Sequence, residues 1–173
     1  PRFQHAEEEP AVWLDPRRVE QAEARAERMR RGEEPQDDPS VHDLMVVYTP
    51  MALDELEGSV VAVENLIDLG VTETNMSYET SGVAHRLRLV HTAFTDFNEL
   101  EPTGIDARDH LQDPDDGYMD EIHPARELYR ADMVKLLTSR SCGRAFKMDV
   151  ISLDHAEFAF CRTSVVCVSP GYT

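Results

Sequence analysis

Basic charge is scarce in this sequence. Seventeen Lys and Arg stand against 34 Asp and Glu, a net charge of −17 over 173 residues. Residues 1–40 hold 11 acidic and 7 basic side chains, so the excess falls in the remainder, with 23 and 10. Nucleic-acid binding needs a positive footprint, and anionic membrane surfaces attract basic segments; neither partner suits this chain. The balance fits a solvated acidic surface, or a salty or calcium-containing medium. Long apolar runs are also missing, none approaching the ~20 residues that span a bilayer. The chain begins at Pro1 with no secretory leader, so a processed N-terminus or a piece of a longer protein is expected. No G-x-S-x-G, G-x-x-x-x-G-K-[ST] or G-x-G-x-x-G occurs, so nucleophile elbows and nucleotide cradles have no support. Internal repeats are absent too. What remains is ordinary: 41% hydrophobic residues, enough for one domain with a core.

Residues 1–40 are polar and rich in Glu, Arg and Pro. Asp15-Pro16 suits a helix start, and a thin apolar stripe (Val19, Ala22, Ala26, Met29) supports a loosely docked helix over Arg17–Arg31. Gly32–Ser40 reads as a linker. Arg28-Met29-Arg30-Arg31 is either a processing site or a basic helix end matching the macrodipole.

The organising stretch runs from Leu44 to Thr95. Leu44-Met45-Val46-Val47-Tyr48 is continuously apolar and stops at Thr49-Pro50. Val60, Val63, Ile67, Val71, Thr74 and Tyr78 fall at steps of three and four, one stripe of a helix. Gly82 suits a left-handed C-terminal cap. Arg86-Leu87-Arg88-Leu89-Val90-His91-Thr92 alternates apolar and polar, a half-buried strand. Strand, crossover helix and strand predict a right-handed parallel unit.

Further on, Phe97–Pro102 reads as a loop. Thr103-x-x-Asp106 resembles a capping box for a helix over Ile105–Leu111, which ends at Asp113-Pro114. A second helix turns Ile122, Ala125, Leu128 and Tyr129 inward. Pro124 costs about 3 kcal/mol inside a helix, so a break near His123 is expected, with a fresh start at Pro124. Ala131–Leu137 reads as a buried parallel strand in which Lys135 needs a strand end or a partner. Cys142–Met148 and Phe158–Cys167 are further strand candidates. The fold class expected is α/β: a mixed, mostly parallel twisted sheet with crossover helices over residues 41–173.

The wording of several segments resembles the reprolysin-like (metzincin) zinc metallopeptidases, closest to the bacterial peptidyl-Asp branch. These segments are Val46-Val47-Tyr48-Thr49-Pro50, Glu73-Thr74-Asn75-x-x-Tyr78-x-x-Ser81-Gly82, Leu87-Arg88-Leu89-Val90-His91, and Asp116-Gly117-Tyr118-Met119-Asp120-Glu121-Ile122-His123. The resemblance covers about residues 43–173. It implies a zinc metalloendopeptidase acting on peptide or protein substrates, with a preference for acidic residues at the cut, and an extracellular setting. It implies that residues 1–40 stand where relatives carry a pro-segment, and that Cys142 and Cys167 pair. Cys161 is then the odd one, a buried thiol or a competitor for that bridge. The resemblance also implies that an edge strand at Gly143, Arg144, Ala145 and Phe146 pairs with extended substrate through its backbone; an ordinary edge strand is the alternative.

The zinc motif H-E-x-x-H, two histidines one helical turn apart with a glutamate between, is absent. The histidines are at 5, 42, 85, 91, 110, 123 and 155, and none lies four residues from another. No bound zinc, no catalytic residue and no peptidase activity are expected of the chain as given. A scaffold without the zinc helix is expected to be marginally stable. His85 and His91 lie near opposite ends of one strand, too far apart to share an ion. His110 and His123 are expected at the surface beside the acidic loop Asp113–Asp120, which lacks the EF-hand spacing and is a solvated turn or a weak calcium site. His155-Ala156-Glu157 resembles the H-x-E of zinc deaminases, without the P-C-x-x-C that those sites need. The alternative to a peptidase portion is a complete non-catalytic acidic binding module on the same scaffold.

Overall fold

The computed structural model describes residues 40–101, 104–150 and 152–168, and isolated positions 20, 23, 24, 27, 28, 31 and 38. Positions 20, 23, 24, 27 and 28 are helical and position 31 is a turn. The Asp15-Pro16 start, most of the 32–40 linker, Met29, Arg30 and Thr103 lie outside the described residues.

The elements, in order, are β1 (Val41–Tyr48), α1 (Pro50–Asp54), α2 (Val60–Thr80), β2 (Arg86–Phe94), α3 (Ala107–Gln112), α4 (Ile122–Tyr129), β3 (Met133–Thr138), β4 (Arg144–Ala145) and β5 (Phe160–Ser164). They build one five-stranded sheet in the order β2-β1-β3-β5-β4. Among the described residues four strands are parallel, and only β4 runs antiparallel, against β5. The sequence-based expectation of a mostly parallel α/β sheet therefore holds. β1 is covered on both faces, which is why its sequence reads as an unbroken apolar run.

Side chains alternate between two cores. Met45, Val47, Val134, Leu136 and Phe160 pack on one face with Ile122, Ala125 and Tyr129 of α4. Leu44, Val46, Tyr48 and Leu137 pack on the other with Val63 and Ile67 of α2. The helical stripe thus faces the sheet, except that Val60 at the first turn is exposed. Both N-terminal ends after β1 are capped by hydroxyls. Thr49 Oγ1 accepts from the Ala52 N–H at 3.1 Å, and Ser59 Oγ accepts from the Ala62 N–H at 3.2 Å. Gly82 takes φ +70° just past α2, where the Val83 N–H donates back to the Tyr78 carbonyl at 2.8 Å. A left-handed cap of this kind closes the orphan carbonyls.

β2 departs from simple alternation. Leu44 pairs with Leu89 but Met45 pairs with His91, so Val90 is an extra residue in the ladder. One inserted residue flips every later side chain to the other face. Leu87 and Leu89 therefore join the α2 side, while Ala93 is buried on the α4 side. His91 lies on the same side as Ala93 and stacks on Tyr129 with ring centroids 3.7 Å apart.

Several expectations need correction. Pro124 neither breaks nor kinks a helix. α4 starts at Ile122, so Pro124 falls in the first turn, where a backbone N–H has no intrahelical partner anyway. α3 begins at Ala107 and is capped by the Asp106 carboxylate, two residues later than expected. Only Arg144–Ala145 of the 142–148 candidate is strand, and the 158–167 candidate shortens to Phe160–Ser164 between two 3-10 turns. Lys135 is mid-strand, beside Cys161 across the ladder. His110 is not at the surface. It is 2% exposed, its Nδ1 lies 2.5 Å from Asp116 Oδ2, and Phe97 and Tyr118 pack against its ring. His123 is half-buried, with Nε2 donating to the Leu111 carbonyl at 3.2 Å. Burial pushes the His123 imidazole below its usual pKa.

Candidate functional site

The free rim beside β4 is held by covalent, ionic and aromatic ties. Cys142, two residues before β4, is disulfide-bonded to Cys167, three residues after β5, with Cα atoms 5.7 Å apart. Arg144 pairs across the ladder with Arg162, and Ala145 with Cys161. Two facing guanidinium groups would repel, but Asp106 stands between them. Its Oδ2 accepts from Arg144 at 3.0 Å, and its carboxylate takes a two-pronged contact from Arg162, both bonds at 2.7 Å. The same carboxylate caps α3 through the Arg108 N–H at 3.0 Å. The Arg162 hydrogen bonds, with the cap and Arg144, hold the Asp106 carboxyl well below the usual carboxylate range, and Asp106 in turn raises Arg162. Forked Arg–carboxylate geometry is the strong form of this contact. One acidic side chain so joins α3, β4 and β5.

Arg108 adds a second brace. Its guanidinium carbon lies 3.8 Å from the Phe146 ring centroid, and Nη1 donates to the Ala145 carbonyl at 3.2 Å. Phe146 also packs on Phe158, with centroids 5.2 Å apart. Gly143, Arg144 and Ala145 are exposed and Phe146 is half-buried. A Cβ on Gly143 would meet the Arg162 carbonyl at 3.7 Å, an ordinary contact, so space does not dictate glycine there. Chemically this rim offers backbone donors and acceptors on a fixed edge.

Among the concavities beside the sheet, two lie near β5 and the rim. One, of about 220 Å³, lies at the carboxyl ends of the parallel strands and is lined by Phe97, Glu99, Asp106, Arg140 and Arg162 among others. Such strand ends are where open α/β sheets place ligands. Glu99 is a structural anchor here. It accepts from the Thr49 hydroxyl, from the Ser139 N–H at 2.9 Å and from the Ser139 hydroxyl at 3.1 Å. The other concavity, of about 420 Å³, lies between α2 and the β3–β5 half of the sheet, with Gly70, Val71, Lys135, Thr163, Cys167 and Val168 in its lining. Cys161, on the same side of the ladder as Lys135, has its thiol pushed up by burial.

Sequence reasoning missed the Asp106–Arg162 clamp and the Glu99 anchor. Their partners lie 56 and 40 residues away in the chain, with no local pattern to mark them. Among the described residues no group of three or more His, Cys, Asp or Glu converges where a metal could be held. No helix among them is long and apolar enough to cross a membrane.

The fold and rim define a mostly parallel five-stranded α/β sheet closed by one antiparallel edge strand. No family model matches the chain. It is similar to proteins called peptidyl-Asp metalloendopeptidase, 32% identical over 109 residues in Xanthomonas campestris pv. campestris, 33% over 110 in Pseudomonas aeruginosa and 32% over 109 in Stenotrophomonas maltophilia. Each match takes in 62% of this chain but only 25%, 17% and 25% of the respective relative, so the chain spans a quarter or less of their length. A solved structure described as a chaperone-substrate complex superposes with a TM-score of 0.55 at 18% identity, covering 77% of this chain and 25% of that one. That likeness supports the α/β fold. The metal implied by the relatives' name finds no fitting donor set among the described residues, and the sequence holds no H-E-x-x-H. No step of metal-assisted hydrolysis is therefore assigned to these side chains.

Proposed function

We propose that this chain forms the sheet and the substrate-side edge of a zinc metalloendopeptidase-type protein. In this reading Gly143, Arg144, Ala145 and Phe146 receive an extended peptide by strand addition, and the hydrolytic zinc and its general base are not among the residues of this chain. The observation that carries the reading is the position of β4. Among the described residues it is the only antiparallel strand, it stands at the end of the sheet order, and three separate ties brace it. An open edge supplies main-chain affinity without demanding particular side chains. Similarity to peptidyl-Asp metalloendopeptidases supports a peptide as the ligand and favours acidic residues in it. The disulfide supports an oxidising, extracellular setting.

The test uses one library of fluorescent peptides. Extended peptides bind the chain, and the same peptides with alternate N-methylated amides bind at least about tenfold more weakly, because ladder donors are lost. Equal binding of the two sets would exclude the edge as the receptor. Cleavage is not expected with added zinc. Chelator-sensitive hydrolysis by the purified 173-residue chain would overturn the assignment of the zinc and base elsewhere.

A further inference from the structure

Strand pairing brings together two histidines that are 43 residues apart in the chain. His42 is the second residue of β1 and His85 immediately precedes β2. Val41 pairs with Arg86 and His42 with Leu87, so the two imidazoles stand on neighbouring parallel strands at their amino ends. His42 Nε2 and His85 Nδ1 share a hydrogen bond at 3.0 Å, one ring donating its N–H to the other, and the rings are within 26° of parallel with centroids 4.9 Å apart. The backbone under both rings is fixed. The Arg86 N–H donates to the Ser40 carbonyl at 2.8 Å, and the Arg86 guanidinium grips the Val83 and His85 carbonyls at 2.6 and 2.8 Å. His42 is half-buried and His85 exposed, so the pair is open to solvent.

We infer that His42 and His85 form a two-imidazole site for a transition-metal ion, Cu²⁺ or Ni²⁺ in preference to Zn²⁺. An ion ~2.0–2.1 Å from each nitrogen displaces the proton they share to solvent, and with the nitrogens 3.0 Å apart it subtends an angle of about 91–97° at the metal. That angle belongs to the square-planar or tetragonal geometry of Cu²⁺ and Ni²⁺. A tetrahedral zinc site wants its ligands further apart. Imidazole nitrogen suits these ions, and the general affinity order places Cu²⁺ first. Water completes the coordination, because no third His, Cys, Asp or Glu joins the pair among the described residues. The site lies at the amino ends of the parallel strands, whereas the proposed peptide edge is β4 at the far side of the sheet. It does not depend on that reading.

Bound metal links β1 to β2, so its effect shows as stability as well as occupancy. The experiment titrates the full, untagged chain with Cu²⁺ and with Ni²⁺ by calorimetry, and records the thermal midpoint of each mixture. One ion per chain is expected, with Cu²⁺ tighter than Ni²⁺ and Zn²⁺ at least about tenfold weaker than Cu²⁺. At a hundredfold excess over Kd the midpoint rises by about 5 °C or more. His42→Gln and His85→Gln each abolish this binding and the midpoint shift. His5→Gln and His155→Gln keep both, which separates the pair from the chain's N-terminus and from the other histidines. The metal-free midpoints of the four variants show that each has folded. Nitrogen hyperfine structure in the Cu²⁺ electron paramagnetic resonance spectrum then reads two equivalent imidazoles. Binding that survives His85→Gln in a folded variant, or a spectrum with a single nitrogen, would overturn the site.

Discussion

The two faces of the sheet are finished differently. On the α4 side the central strands present Met45, Val47, Val134 and Leu136, each fully buried, under a continuous apolar cover. On the α2 side the same strands start out equally apolar at Leu44, Val46 and Tyr48. One strand further along they change character, and Lys135, Cys161 and Thr163 occupy the positions above β3 and β5. The 420 Å³ groove begins where that cover ends. Alternation along a strand therefore records more than inside and outside. It records how far each covering layer extends, because a lysine in a central strand is tolerated only where its ammonium reaches water.

Adjacent residues on β3 give the sharpest test of this contrast. Leu136→Ala leaves a cavity in the closed face and should cost about 2–5 kcal/mol, read as a lower urea midpoint. Lys135→Ala, one residue away on the open face, should cost less than about 0.5 kcal/mol, as surface changes do. Similar losses from both would mean that the two faces are equally closed.

The groove's rim is held by the Cys142–Cys167 bridge, whose ends are 25 residues apart. Loop closure over that span is worth about 3 kcal/mol. The double change Cys142→Ser with Cys167→Ser should lower stability by roughly that amount and speed proteolysis near β4. An unchanged digestion pattern would show the bridge to be dispensable to the rim.

Asp106→Asn should cost about 1–3 kcal/mol, since it leaves Arg144 and Arg162 facing each other without their anion. The pH dependence has a definite sign. The folded-state pKa of Asp106 lies below its unfolded value because Arg162 favours the carboxylate. Its contribution is therefore complete above about pH 4 and is lost as the pH falls below that. The asparagine variant should lack this part of the acid dependence when both proteins are unfolded by urea at pH 5 and pH 3. Parallel curves would refute the clamp.

The smallest effect is at Gly70. Glycine to alanine inside a helix normally gains about 1 kcal/mol, but the new Cβ would stand 3.2 Å from Val168 Cγ1 across the groove. The gain should be cut to near zero. A full 1 kcal/mol rise in the unfolding free energy would mean that the Val168 segment gives way freely.

Much of this architecture was legible in the residues. Leu44–Tyr48 declares a buried parallel strand through an uninterrupted apolar run, Ala131–Leu137 does so despite Asp132 and Lys135, and Val63, Ile67 and Val71 declare the face of α2. These features depend on neighbours within one turn or one pleat, which the chain order preserves. The candidate peptide edge was legible only in part, since the segment Gly143–Phe146 was found through resemblance while its bracing by Asp106 and Arg108 was not. His110 was misread because an acidic loop on its flank suggests solvent, whereas Phe97, thirteen residues upstream, covers the ring. The face that His91 takes is not readable from alternation, because the extra residue Val90 cannot be recognised without its partner strand.

Local periodicity and charge thus determined the sheet's first three strands, its long crossover helix, its acidic character and the lack of a histidine pair at zinc-helix spacing. The tertiary structure alone decided which residues meet at long range: His42 with His85, Asp106 with Arg162, Glu99 with Ser139. The physical reason is that hydrogen bonds and ion pairs act over a few ångströms of space, and only the folded chain converts tens of residues of sequence into that distance.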